Sequence, residues 1–188
     1  MKDCLHSDND GPDVRASLKG DDKAFRRLVE RYENTIAEQM RRFSRNRSEI
    51  QELVQEVFVQ AYFSLPSFRG EAPFVHWLRK IAVRTGYRFW KKRDGEKRRT
   101  QAVQDHHLTL LSSPSEADPT EAADALHALL ELLPPKDRLV LALYYFEELS
   151  HGEIAARTGW TGALVKVRIH RAKKKLKQIL VEAGLGRD

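Results

Sequence analysis

The chain is expected to be all-α, two helical domains joined by a flexible linker, and three observations predict it. Apolar residues recur at i, i+3, i+4 and i+7 through two long stretches, the period of a helix with one buried face. No segment alternates apolar and polar residues as a half-buried strand does. Between the two stretches lies a segment carrying Gly95, Pro114, Pro119 and several serines without sustained period, which reads as a connection. The partition is then a mobile polar terminus over residues 1–13, a three-helix bundle over 14–93, a linker over 94–120 and a four-helix domain over 121–188.

In chain order, Phe25, Leu28, Val29, Tyr32, Ile36, Met40 and Phe43 set the first helix, which starts near Asp22. A break follows at Asn46-Arg47, and Ser48 with Gln51 offers a capping box for the second helix. Ile50, Leu53, Val54, Val57, Phe58, Ala61, Tyr62 and Leu65 share its inner face. A loop holding Gly70 ends at Pro73, a residue suited to the first turn of the third helix. That helix carries Phe74, Trp77, Leu78 and Ile81 inward and runs to about Arg93. Beside Trp77, at about 100° per residue, Lys80, Arg84, Tyr87, Arg88 and Lys91 form a second face. Interleaved cations and rings suit single-stranded nucleic acid, since cations track phosphates and rings stack on bases; Trp77 fits a core ring equally well. The linker, fully extended, reaches ~90 Å. Beyond it, Leu126, Leu129, Leu130 and Leu133 set a helix that Pro134-Pro135 ends, and Leu139, Val140 and Leu143 set the next.

The last two helices carry the strongest signal. Ser150 caps and Glu153 reaches back; Ala155, Gly159 and Val165 then give the small residue, left-handed turn and apolar plug of a helix-turn-helix. Val165, Ile169, Ala172, Leu176 and Ile179 line one face of the second helix. Its remaining surface bears Lys166, Arg168, Arg171, Lys173, Lys174, Lys175 and Lys177. The competing reading is an ordinary helical hairpin with a solvated basic face, but seven cations within twelve residues repel one another unless a polyanion is the partner.

Charge distribution points the same way. The formal net charge is +6 and the pI about 9.5, so nucleic acid is the first partner to consider. Residues 67–99 hold eleven cations against three acids, whereas Thr100 to Pro135 contains no Lys or Arg. Two basic modules joined by a segment that avoids phosphate are expected. Cys4 is the single cysteine, which excludes an intrachain disulfide and fits a reducing compartment. Cys4 with His6 is too few ligands for a metal, and His106-His107 reads as solvated linker; no metal or cofactor is expected. The run Leu139 to Phe146 is too short to span a bilayer, and the N-terminus has no signal segment, so a cytoplasmic protein is expected. No Cys/His ligand set, phosphate-cradling Gly loop or nucleophile motif supports an enzyme.

Three stretches carry a family resemblance: DDKAFRRLVERY; ELVQEVFVQAY followed by FRG and FVHWLRKIAVRTGYRFWKKR; and ALHALLELLPPKDRLVLALYYFEELSHGEIAARTGW with VKVRIHRAKKKL. Together they resemble, in order, regions two and four of the bacterial extracytoplasmic-function (group IV) sigma factors of RNA polymerase. The resemblance implies a sigma region-two domain and a region-four domain, a polymerase core and promoter DNA as partners, and an anti-sigma factor that covers both domains. A monomer with no small-molecule substrate is expected, held in some states at the inner membrane by the anti-sigma factor.

On matching positions, the resemblance places Glu52, Leu53, Gln55, Glu56 and Phe58 in the segment that docks on the polymerase clamp. Ser67, Phe68, Arg69 and Gly70 fall in the loop that captures an unpaired base of the −10 element. Trp77, Lys80, Arg84, Tyr87, Arg88, Lys91 and Lys92 lie on the helix that follows the melting duplex. Leu164, Val165, Lys166, Arg168, His170, Arg171, Lys174 and Lys175 fall on the helix for the −35 duplex. Leu164 and Val167 stand where Thr and Ser are common in the family, which favours apolar contact such as thymine methyls, and Arg84 stands where Asn is frequent. The alternative function is a dimeric helix-turn-helix regulator whose N-terminal helices sense a signal or dimerise.

Overall fold

A computed structural model describes residues 10–101 and 119–182. Cys4, His6 and the pair His106-His107 lie outside the described residues. Those described form helices α1 (Asp10–Leu18), α2 (Asp22–Met40), α3 (Arg47–Ser64), α4 (Phe74–Gln101), α5 (Pro119–Glu131), α6 (Pro135–Tyr145), α7 (His151–Thr158) and α8 (Gly162–Glu182), with a 3₁₀ turn over Leu65–Ser67. No strand occurs among them. The chain divides into two compact units, Met1–Gly86 and Tyr87–Asp188, and the division falls inside α4.

In the first unit the cap of α2 is Asp21, whose carboxylate accepts from the Lys23 and Ala24 amides at 2.9 and 3.2 Å. Asn46 caps α3 in the same way, accepting from Ser48 and Glu49 at 2.8 and 3.3 Å. The expected Ser48 box therefore does not form, because Asn46 already satisfies the free amides and places Ser48 inside the helix. Leu28, Tyr32, Ile36 and Met40 of α2, Leu53, Val57 and Ala61 of α3, and Phe74, Leu78 and Ala82 of α4 are buried. Gly86 marks a close crossing: a Cβ built there would lie 2.4 Å from the Phe43 ring.

The terminus departs from expectation. Residues from Asp10 onward are helical rather than mobile, and what anchors α1 is polar. Arg31 donates to Asp10 and Asp13 at 2.7 and 3.0 Å, Arg27 donates to Asp13 at 2.9 Å, and the Tyr32 hydroxyl donates to Asp10 at 2.5 Å. Only Val14 of α1 is a buried apolar side chain, so helical periodicity had little to register.

In the second unit Leu129, Leu130, Leu133, Leu139, Leu141, Leu143, Ile154, Val165, Ile169 and Ala172 are buried, with Leu176 and Ile179 packed against Leu130, Leu133 and Leu141. Leu126, expected inside, is exposed. Pro135 occupies the first turn of α6, where its missing N–H costs nothing. Arg138, 5% exposed, donates to the carbonyls of Leu130 and Glu131 at 2.8 and 2.7 Å. It thereby satisfies acceptors that the end of α5 leaves open. Its guanidinium carbon also sits 4.9 Å from the Trp90 ring centroid.

The segment expected to open the linker, residues 94–101, continues α4 instead, and Pro119 and Thr120 already belong to α5. Gly95 costs a helix interior about 1 kcal/mol, but Arg93 and Lys97 pair with Glu131 at 3.5 and 2.6 Å and Trp90 is buried. Fixed in this way, the helix does not end at Arg93.

Candidate nucleic-acid interface

The helix-turn-helix is built from local chemistry. The Ser150 hydroxyl accepts from the Glu153 amide at 3.3 Å, and the Ser150 amide donates to the Glu153 carboxylate at 2.8 Å, completing the capping box. The Ser150 hydroxyl also donates to the Glu153 carboxylate at 2.7 Å, and that bond, with the one from the Ser150 amide, holds the Glu153 carboxyl below its ordinary value. Gly159 ends α7 at φ 78°, a left-handed conformation that a side chain resists. Thr161 accepts from the Leu164 amide at 3.3 Å and starts α8. Glu147 pairs with Arg157 and ties the approach to α7 to that helix.

Burial of Val165, Ile169 and Ala172 fixes which face of α8 is outward. Leu164, Lys166, Val167, His170, Arg171 and Lys174 are exposed, as the sequence requires of a reading surface, and Lys175 is exposed beside the buried stripe, where it pairs with Asp137. Val165 is the exception. It is fully buried, so its role is to plug the angle between α7 and α8, and it touches no ligand. Arg168 is half-buried, its guanidinium carbon 5.0 Å from the Trp160 ring centroid.

A second constellation lies between α3 and α4. Phe68 meets the Phe74 ring edge-on at 5.5 Å and lies 5.3 Å from Trp77, while Phe74 and Trp77 are 5.4 Å apart. Phe68 and Trp77 are half-buried: one side of Trp77 packs on Phe68 and Phe74, the other faces solvent. Ser67, exposed, donates to the Ser64 carbonyl at 2.6 Å. Arg69 and Glu71 are well exposed, 3.9 Å apart, and Gly70 adopts φ 71°. Along α4, Arg84, Arg88, Lys91 and Lys92 are exposed, Lys80 and Tyr87 half-buried.

These two constellations occupy separate matches. Residues 28–96 match the family described as sigma-70 region 2, and residues 123–176 that described as sigma-70, region 4. The chain is 30% identical to the RNA polymerase sigma-H factor of Pseudomonas aeruginosa, covering 94% of this chain and 96% of that protein. It is 32% identical to the ECF RNA polymerase sigma-E factor of Escherichia coli strain K12, covering 87% and 90%. The chain belongs to the extracytoplasmic-function (ECF) family of RNA polymerase sigma factors.

Solved structures share its fold. CnrH in complex with the cytosolic domain of CnrY superposes with a TM-score of 0.59 at 24% identity, covering 91% of this chain and 96% of that one. The sigma factor RpoE in complex with the anti-sigma factor NepR from Bartonella quintana gives 0.57 at 21%, covering 84% and 97%.

As an ECF sigma factor the protein directs RNA polymerase to promoters, and the dimeric-regulator alternative falls away. The sigma factors are not an enzyme family. No helix among the described residues is long and apolar enough to cross a membrane, and no group of three or more metal-ligating side chains gathers among them.

Of the residues matched to the polymerase-docking segment, Glu52, Gln55 and Glu56 are exposed on α3, whereas Leu53 and Phe58 are buried in the bundle. The sequence reading missed two neighbours. Val59 and Phe63 are 51% and 77% exposed, and at about 3.6 residues per turn they extend the line of Glu52 and Glu56. The signal was present as a second apolar spacing on α3, outside the stripe that forms the core.

Proposed function

We propose that this sigma factor divides promoter recognition between its two units, α8 reading the −35 duplex and the Phe68 loop with α4 receiving the −10 strand. The observation that carries the reading is the outward face of α8, where Leu164, Lys166, Val167, His170, Arg171 and Lys174 are exposed opposite a buried stripe. A helix of this kind fits the major groove, with cations positioning on phosphate and the remaining side chains meeting base edges.

The aromatic group at Phe68 and Trp77, flanked by Arg69 and the α4 cations, supports capture of a base drawn from the stack. Extruding a base costs a few kcal/mol, and stacking returns about 1–3 kcal/mol. One pocket therefore selects where melting starts and leaves the opening itself to the polymerase. The stripe Glu52, Glu56, Val59 and Phe63 of α3 docks on the polymerase clamp. An anti-sigma factor binds this chain in the cytoplasm, a reading supported by the RpoE complex, whose name gives a sigma factor bound to the anti-sigma factor NepR, and one anchored in the inner membrane would hold it there.

The decisive experiment is in vitro transcription from a promoter library with polymerase core and the purified chain. Start sites that appear only when the chain is added support the reading; an unchanged set of start sites overturns it. The −10 role has its own test. A Phe68→Ala, Arg69→Ala double variant should retain closed-complex binding and lose permanganate-reactive thymines at the −10 element. Normal strand opening in that variant removes the loop from the mechanism.

A further inference from the structure

The seven cations of α8 are not equivalent, and the difference originates outside the helix. Asp137 lies in the first turn of α6, where a carboxylate is favoured by the helix dipole, and is 6% exposed. Its Oδ2 accepts from the Lys175 ammonium, and its Oδ1 lies 3.7 Å from the Arg168 guanidinium. Arg168 is further committed by the Trp160 ring, and its Nε is buried with no acceptor among the described residues. Its side chain is only 24% exposed. Lys173 is held on the opposite flank, its ammonium 4.6 and 5.2 Å from the Tyr144 and Tyr145 ring centroids.

The other four, Lys166, Arg171, Lys174 and Lys177, are exposed and have no intramolecular ion-pair or ring partner among the described residues. At about 100° per residue these four fall within one arc opposite the buried stripe. Arg168 and Lys175 lie at one border of the stripe and Lys173 at the other. Phosphate binding gains from counterions released by free cations. Cations that share a buried carboxylate have less to contribute, and the carboxylate repels a phosphate brought to that flank.

We propose that Asp137 is a positioning residue that holds Arg168 and Lys175 out of the phosphate-binding set, confining duplex contact to the arc of Lys166, Arg171, Lys174 and Lys177. It sharpens discrimination because cations on the flank would add only sequence-independent attraction. The inference rests on α8 being the −35 helix and adds which of its charges do the binding and which residue decides that.

The test is the salt dependence of closed-complex formation by polymerase core carrying the full chain on a duplex promoter, plotted as log affinity against log salt. Each phosphate contact contributes a slope of about 0.9. Asp137→Asn should steepen the slope by about 1–2 and raise affinity for promoter-free duplex more than for promoter. Asp137→Glu should restore the wild-type slope. Arg168→Gln and Lys175→Gln should leave the slope where it was, while Lys166→Gln and Lys174→Gln should each make it shallower by about 1. A thermal melt of each variant separates lost folding from lost contact, and the two glutamine variants of Arg168 and Lys175 keep the test open if Asp137→Asn folds poorly. The inference is overturned if Asp137→Asn leaves the slope unchanged or shallower, or if Arg168→Gln and Lys175→Gln each lose a phosphate contact. A slope that no α8 variant moves overturns the −35 reading itself, and this inference with it.

Discussion

Gly86 is the clearest case of a single residue whose identity is dictated by its neighbour. The Phe43 ring lies where its Cβ would be, 2.4 Å away, and a ring buried in the bundle has no room to retreat. Gly86→Ala gains helix propensity worth up to about 1 kcal/mol but forces an overpacked contact that costs about 1–3 kcal/mol. The clash wins, so the variant should unfold at a lower urea midpoint with an unchanged m-value. A midpoint equal to or above wild type would show that α4 moves freely away from the segment after α2 that carries Phe43. Arg138 works in the opposite sense. A buried guanidinium would ordinarily be a liability, and burial does lower its pKa despite the opposing pull of Glu131. It is retained because it donates to the carbonyls of Leu130 and Glu131 at the end of α5, and a hydrogen bond to a charged group is worth about 1.5–3 kcal/mol.

Among the helices, α1 and α8 depend on charge in different ways. Burial works to raise the Asp13 carboxyl, but hydrogen bonds from Arg27 and Arg31 outweigh it and hold the group below its ordinary value of 3.8. A depressed carboxylate stabilises the fold fully above its unfolded pKa, and that contribution is lost as pH falls through the lower folded value. The attachment of α1 should therefore be intact at neutral pH and weaken only as pH drops below about 4. Melts of wild type and Asp13→Asn should differ most near pH 6 and converge at the acid end; a constant gap across that range would remove the ion pair from the account. Glu131, which burial also works to raise and which Lys97 and Arg93 hold low, adds a contribution of the same sign in the second unit. On α8, by contrast, the buried acid acts on binding through the cations it occupies.

For the molecule as a whole, on the proposed division of promoter recognition, two modest DNA contacts on one polypeptide suffice because tethering makes the second intramolecular, at roughly millimolar effective concentration. The polymerase contact must then be strong enough to keep the chain on the enzyme. Phe63, 77% exposed with its ring edge-on to that of Tyr62, continues the α3 stripe proposed to dock on the clamp. Phe63→Ser should weaken binding to polymerase core by about tenfold, in the range of an interface anchor, and leave the melting temperature of the free chain unchanged. A pull-down with undiminished core binding would place the docking surface elsewhere.

What the sequence by itself determined is the all-helical class and the helix-turn-helix, since helical phase, the Ser150–Glu153 box and the turn at Gly159 depend on residues within a few positions of one another. It also separated buried Leu53 and Phe58 from exposed Glu52 and Glu56 on α3, because a period of 3.6 assigns faces. Only the tertiary structure decided that α1 is anchored, that α4 continues past Arg93 and that Arg168 and Lys175 are already engaged. Each of those outcomes turns on polar partners from other helices, Asp137 standing 38 residues from Lys175. Periodicity tells which face of a helix turns inward; which charge waits on the far side of the seam is set by how the helices pack.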